Sequence, residues 1–148
     1  MANEWSQTHH GPTADAVKAG WIEWARSRRW DFFTTPTFAK PTSAARALAT
    51  VTEWLRPLPK AYAVVGLQRG PAGGLVHVHA LLGGIGRHPL RETFLRGSWR
   101  HGNLDLKRYT PLKGGIEYLV RQADTLELIG TPTRYRPRGN ELRHAKNG

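Results

Sequence analysis

Two short apolar runs separated by a glycine-rich break constrain the fold of this chain more than any other feature. Residues 61–68 and 74–83 are both rich in aliphatic and β-branched side chains, and the second run is bounded by Gly74 and Gly83. Between them lies Arg69-Gly70-Pro71-Ala72-Gly73-Gly74, a composition that supports a turn and little else. The pair reads as a β-hairpin. Side chains in a strand alternate between faces, so His77 and His79 would share one face, within reach of a single metal ion. Val76, Val78 and Ala80 would point the other way, into a core.

The rest of the chain supplies elements to pack against that hairpin. Residues 13–29 have a helical pattern, with Val17, Trp21, Trp24 and Ala25 at spacings of three and four, Thr13 as N-cap and basic residues at the far end. Residues 30–38 read as a strand in which Pro36 implies an edge or an ending. Pro41 and Thr42 open a second helix with Ala44, Leu48, Val51 and Leu55 as its buried stripe, and Pro57 and Pro59 stop it. Beyond the hairpin come a short helix at 89–95, a strand at 102–109, a helix at 113–123 and a short strand at 126–129. Removing the first helix leaves strand-helix-strand-strand-helix-strand, the split arrangement of ferredoxin-like domains. The expected class is α+β, with a central antiparallel sheet of about four to five strands and helices packed on it. Helices would cover one face, leaving the other for a ligand.

Length and charge narrow the function. A chain of 148 residues suits one domain. Residues 1–12 would be a flexible lead-in, 13–130 the folded domain with its added N-terminal helix, and 131–148 a basic tail. Lysine and arginine number 22 against 11 acidic residues, a net charge of +11, which attracts polyanions, nucleic acid foremost. Cysteine is absent, which excludes disulfides and thiolate chemistry and fits a reducing compartment. No apolar run approaches the ~20 residues that span a bilayer, and no signal peptide is visible. The expectation is a cytoplasmic protein with no membrane partner.

Two groups carry possible chemistry. Gln68 precedes the turn, where a hairpin register would bring its side-chain carbonyl near the imidazoles. Two imidazoles and one oxygen donor leave open positions for a divalent ion, Mn²⁺ or Mg²⁺, with zinc not excluded. Histidines on strands also serve purely structural hydrogen bonds, and Gln68 would look the same as a simple strand-end residue. The second group is the helix containing Gly114-Gly115-Ile116-Glu117-Tyr118-Leu119-Val120-Arg121-Gln122. Ile116, Leu119, Val120 and Ala123 form its core stripe, and Tyr118 falls off it with Arg121 as a neighbour one turn on. A free tyrosine has a pKa of about 10 and needs activation to act as a nucleophile. An ordinary half-exposed tyrosine would present the same pattern.

Taken together, Phe32-Phe33-Thr34-Thr35-Pro36-Thr37, Gln68-Arg69-Gly70 ahead of His77-Val78-His79, and Tyr118 followed by a basic residue resemble the three motifs of HUH endonucleases. The likeness is to the replication initiators of rolling-circle plasmids and single-stranded DNA viruses, and it spans residues 30–125. It implies an HUH fold, ferredoxin-like and similar to RNA-recognition motifs. It implies that His77, His79 and Gln68 bind one divalent metal (Mn²⁺ or Mg²⁺) and that Tyr118 attacks a phosphate of single-stranded DNA. A 5′-phosphotyrosine and a free 3′-OH would result, and the nick could be rejoined without ATP. Arg121 would replace the family's lysine, holding phosphate but unable to exchange a proton. Pro36 departs from the first motif, and Gln122 stands where two-tyrosine relatives carry a second tyrosine. The substrate implied is an origin or hairpin in single-stranded DNA. With no GxxxxGK[ST] in the chain, unwinding would fall to a partner helicase.

Arg69, Arg87, Arg91, Arg96, Arg100, Lys107 and Arg108 are candidate phosphate contacts, with Trp99 and Tyr109 as stacking platforms and Arg134, Arg136, Arg138 and Arg143 as a tail clamp. Transposases and relaxases use similar motifs. The main alternative is a non-catalytic nucleic-acid-binding domain with structural histidines. A histidine-triad hydrolase needs a third alternating histidine where this chain has Leu75. A metal-free RNA-recognition module would display aromatics where the central strands here carry histidines.

Overall fold

The computed structural model describes residues 14–71 and 74–132, apart from the side chains of Leu75 and Val76. Several expectations lie outside the described residues: the lead-in at 1–12, the Thr13 cap, the inward Val76 side chain and the tail clamp of Arg134, Arg136, Arg138 and Arg143. The described chain runs α1 (Ala14–Arg26), β1 (Phe32–Pro36), α2 (Ala44–Leu55), β2 (Tyr62–Arg69), β3 (Leu75–Gly83), α3 (Pro89–Ser98), β4 (Leu104–Arg108), α4 (Gly115–Gln122) and β5 (Thr125–Ile129). All five strands form one antiparallel sheet in the order β4-β1-β3-β2-β5. The first four follow the ferredoxin-like order, and β5 adds an edge beside β2. The class is α+β, as the alternation of patterns implies.

The helices do not leave one face of the sheet open. On one side α2 and α3 pack over Phe32, Ala63, Val65, Leu67, Val78, Ala80 and Leu82. On the other, α1 and α4 bury Tyr62, Val64 and Leu81 under Ala25, Ile116, Leu119 and Val120. The reason lies in the sheet: β2 is apolar on both faces from Tyr62 to Leu67, so each face needs a cover. A chain of aromatic edges, Trp21 to Trp24 to Trp30 to Tyr62, with centroids 5.6, 6.4 and 5.5 Å apart, fastens α1 to the second face.

Some element details differ from the sequence reading, each for a local reason. The α2 stripe rotates to bury Ala47, Val51, Trp54 and Leu55, while Ser43 caps the helix through the Arg46 N–H. Helix α3 continues past Leu95 to Ser98, so Trp99 turns inward. Its indole donates to Thr37 O at 3.1 Å and is only 5% exposed, which removes it as a stacking platform. The expected 113–123 helix is split: Pro111–Lys113 forms a 3₁₀ turn, and Gly114, at φ 66°, breaks the helix before α4 starts. That left-handed backbone suits glycine and redirects α4 onto the sheet. Pro36 ends β1, which lies inside the sheet between β4 and β3.

Candidate functional site

The hairpin register sets the site. Antiparallel pairing puts Gln68 directly opposite His77 and Gly66 opposite His79, and the pairing slips by one residue between Gln68 and Arg69. Residues opposite one another point to the same face. The two imidazole centroids lie 6.0 Å apart with the rings tilted by 27°. His77 is exposed, whereas His79 is 7% exposed.

The pairing of β1 with β3 adds two residues from far away in the chain. Phe33 lies beside His79, ring centroids 5.9 Å apart and nearly parallel. Thr35 Oγ1 lies 3.1 Å from His79 Nδ1. With Nδ1 occupied in this way, Nε2 is the nitrogen left for a ligand. Burial, together with the neighbouring His77, holds the His79 pKa below its ordinary value of 6.5. The imidazole therefore keeps a lone pair at neutral pH, which a metal ligand requires.

Helix α4 delivers the tyrosine. Ile116, Leu119 and Val120 anchor it to the sheet, and Leu119 and Ala123 close over Gly66. A β-carbon at residue 66 would come 3.1 Å from Leu119 Cδ2 and 3.2 Å from Ala123 Cβ, so the glycine sets how near the helix lies. Tyr118 is 51% exposed, and its ring stands edge-on to His79 with centroids 5.2 Å apart. It also meets Phe33 at 6.4 Å. Arg26 of α1 holds Glu117, and Lys18 donates to the Arg121 carbonyl at 2.9 Å, so α1 fixes α4 from behind. Arg121 itself is exposed, one turn beyond Tyr118.

His77, His79, Gln68 and Tyr118 thus come from three elements to one end of one sheet face. The donors fit a divalent ion in kind: two same-face imidazoles, one with its second nitrogen engaged, and an amide across the hairpin. Among the described residues, no group of three His, Cys, Asp or Glu side chains is placed to hold a metal ion, so the amide would complete the set. Beside Tyr118 lies a cavity of about 280 Å³, lined by Phe33, Tyr109, Lys107 and Lys113. Burial and Glu117 push the Tyr109 phenol up, against an opposing pull from Arg26, so it stays protonated.

The expected phosphate contacts separate into two groups. Lys107 reaches this cavity and Arg69 sits exposed at the hairpin end. Arg87 donates to Tyr109 O, and Arg91 to Ile85 O. Arg96 donates to Leu106 O at 2.7 Å, and Arg96 and Arg108 both bond Glu92 of α3. Arg100 is exposed on the far side of β1. Sequence reasoning missed Thr35 as a partner of His79 and Lys113 as a neighbour of Tyr118. Thr35 shares strand parity with Phe33, but nothing local says that β1 pairs with β3. No family model matches this chain, and no curated protein or solved structure matches it either.

Proposed function

We propose that this chain is a metal-dependent endonuclease that nicks and rejoins single-stranded DNA in the manner of the HUH replication initiators, with Tyr118 as its nucleophile. The observation that carries the reading is the placement of a half-exposed tyrosine ring 5.2 Å from the buried member of a same-face histidine pair. His77, His79 and Gln68 would hold one Mn²⁺ or Mg²⁺ ion. Bound there, the ion would supply Lewis-acid polarisation of a phosphate oxygen.

In the proposed reaction the Tyr118 oxygen forms a bond to phosphorus while the bond from phosphorus to the 3′ oxygen breaks. The phenolic proton is lost and the departing 3′ oxygen gains one. The DNA is left as a 5′-phosphotyrosine and a free 3′-OH. The bond energy is retained, so the reverse reaction rejoins the strand without ATP. Thr35 positions His79, and α1 steadies α4 beneath Tyr118. Arg121 adds a permanent cation close to the nucleophile, suited to phosphate and unsuited to proton transfer. Initiation of rolling-circle replication is the process this activity fits, with unwinding by a separate helicase; transposition or conjugation would use the same chemistry.

Incubation with labelled single-stranded DNA carrying candidate origins, in Mn²⁺ or Mg²⁺, should give a covalent protein–DNA band on a denaturing gel. Tyr118→Phe should abolish the band and leave binding intact. A band that persists in that variant refutes Tyr118 as nucleophile. DNA binding without an adduct under any metal or sequence would instead identify a non-catalytic binding domain.

A further inference from the structure

A groove leads away from His77 and shares no lining residue with the cavity beside Tyr118. It begins between Thr35 and His77, follows the chain leaving β1 and reaches Lys40, enclosing about 200 Å³. There it meets a basin of about 390 Å³ at the start of α2, with Phe38 to Thr42 forming a wall common to both. The basin adds Arg46 from α2, and Arg100 and His101 from the loop before β4.

Three features of this basin point to an anion with a planar ring attached. Lys40, Arg46 and Arg100 are all exposed, and none forms an ion pair among the described residues. No acidic side chain lines either cavity among the described residues, so three like charges face one volume without a counter-charge. Five cations elsewhere, Arg26, Arg56, Arg96, Lys107 and Arg108, do have acidic partners. Rings border the charge. Phe38 is held edge-on by Trp99 at 5.3 Å, and His101 lies 6.3 Å from Phe38 and 5.0 Å from Trp99. The Ala39 N–H donates to His101 O at 2.7 Å, which ties the two sides of the basin together.

We infer that this basin is a second binding site for single-stranded DNA, which holds the strand at a distance from the nicked phosphate and orients it along the groove toward His77. The inference deepens the proposed nicking activity and rests on it for the direction of the strand. Lys40, Arg46 and Arg100 engage successive phosphates, and Phe38 with His101 offers the stacking surface that an unpaired base provides a face for. A duplex keeps its bases stacked inside and has no ring to give.

The test is equilibrium binding of a fluorescein-labelled single-stranded oligodeoxynucleotide of mixed sequence to the full chain, across a series of KCl concentrations. Each phosphate contact to a single strand contributes about 0.7 to the slope of log K against log salt, so Lys40→Gln/Arg46→Gln/Arg100→Gln should reduce the slope by about two. Affinity at low salt should fall on the order of tenfold or more. Circular dichroism melting of the variant should match the parent, since the three side chains are exposed and unpaired. An unchanged slope overturns the basin, and if the parent still forms the tyrosine adduct, the nicking activity survives that result. A reduced slope with no adduct in the parent keeps the basin as a DNA site and discards the nicking activity. Equal dependence on the three cations for duplex DNA or for RNA overturns single-stranded DNA as the occupant.

Discussion

The two faces of the sheet are built from the same strands and end in opposite conditions. Under α2 and α3 the face is sealed: Phe32, Val65, Val78, Ala80 and Leu82 are all buried there. On the other face the core stops at Leu81, and the strands continue into Thr35, Gln68 and His77, which are half-buried or exposed. Helix α4, with 8 residues, extends about 12 Å, and with α1 it covers Tyr62, Val64 and Leu81 but leaves the hairpin end open. That uncovered end carries the polar side chains, and the candidate site lies there.

Substitutions can break that contrast, beginning with the sealed face. Phe32→Ala should cost about 3–5 kcal/mol in urea unfolding, the usual range for truncating a buried phenylalanine. Phe33→Ala, its neighbour on the open face and only half-buried, should cost clearly less while impairing adduct formation. Equal losses at the two positions would mean that the faces are not different in kind.

Gly66→Val tests the seating of α4. Overpacking against Leu119 and Ala123 should cost about 1–3 kcal/mol. It should also lower the adduct yield, because the helix carrying Tyr118 has to lift. A variant with full stability and full activity would show that α4 has more freedom than the 3.1 Å approach implies.

Thr35→Val affects only the open end. Loss of the hydroxyl beside His79 Nδ1 should weaken Mn²⁺ binding by about 10–100-fold, the usual effect of removing a partner that orients a metal-ligating histidine. Calorimetric titration measures it, and unfolding should change little. Unaltered Mn²⁺ affinity would remove Thr35 from the site.

The smallest effect is expected at the tie between α1 and α4. Burial pushes the Glu117 carboxyl up, but its own backbone N–H and Arg26 outweigh this and hold it below the ordinary 4.5. A carboxyl lowered on folding stabilises the protein above its unfolded pKa, and that stabilisation is lost as pH falls through the folded value. Glu117→Gln should therefore unfold more readily than the parent at neutral pH, and the two should converge in acid. Arg26 is 62% exposed, so solvent screening keeps the difference within about 1 kcal/mol. A gap that widens as the pH drops would assign the shift to another cause.

Local pattern alone determined much of this protein. The hairpin, the common face of His77 and His79, the outward lean of Tyr118 and the α+β class all follow from periods of two and 3.6 residues and from turn chemistry, which neighbouring residues settle among themselves. Gln68 was expected near the histidines from the hairpin, but the register that sets it opposite His77 came only with the paired strands. Only the tertiary structure decided which strand lies beside which. It brought Thr35 to His79 across 44 residues of chain, drew Trp99 into the core and set Lys40, Arg46 and Arg100 around one basin. It also covered the second face with α1 and α4, where a free face was expected. Such pairings depend on how the whole chain closes on itself, and no window of neighbouring residues carries that information.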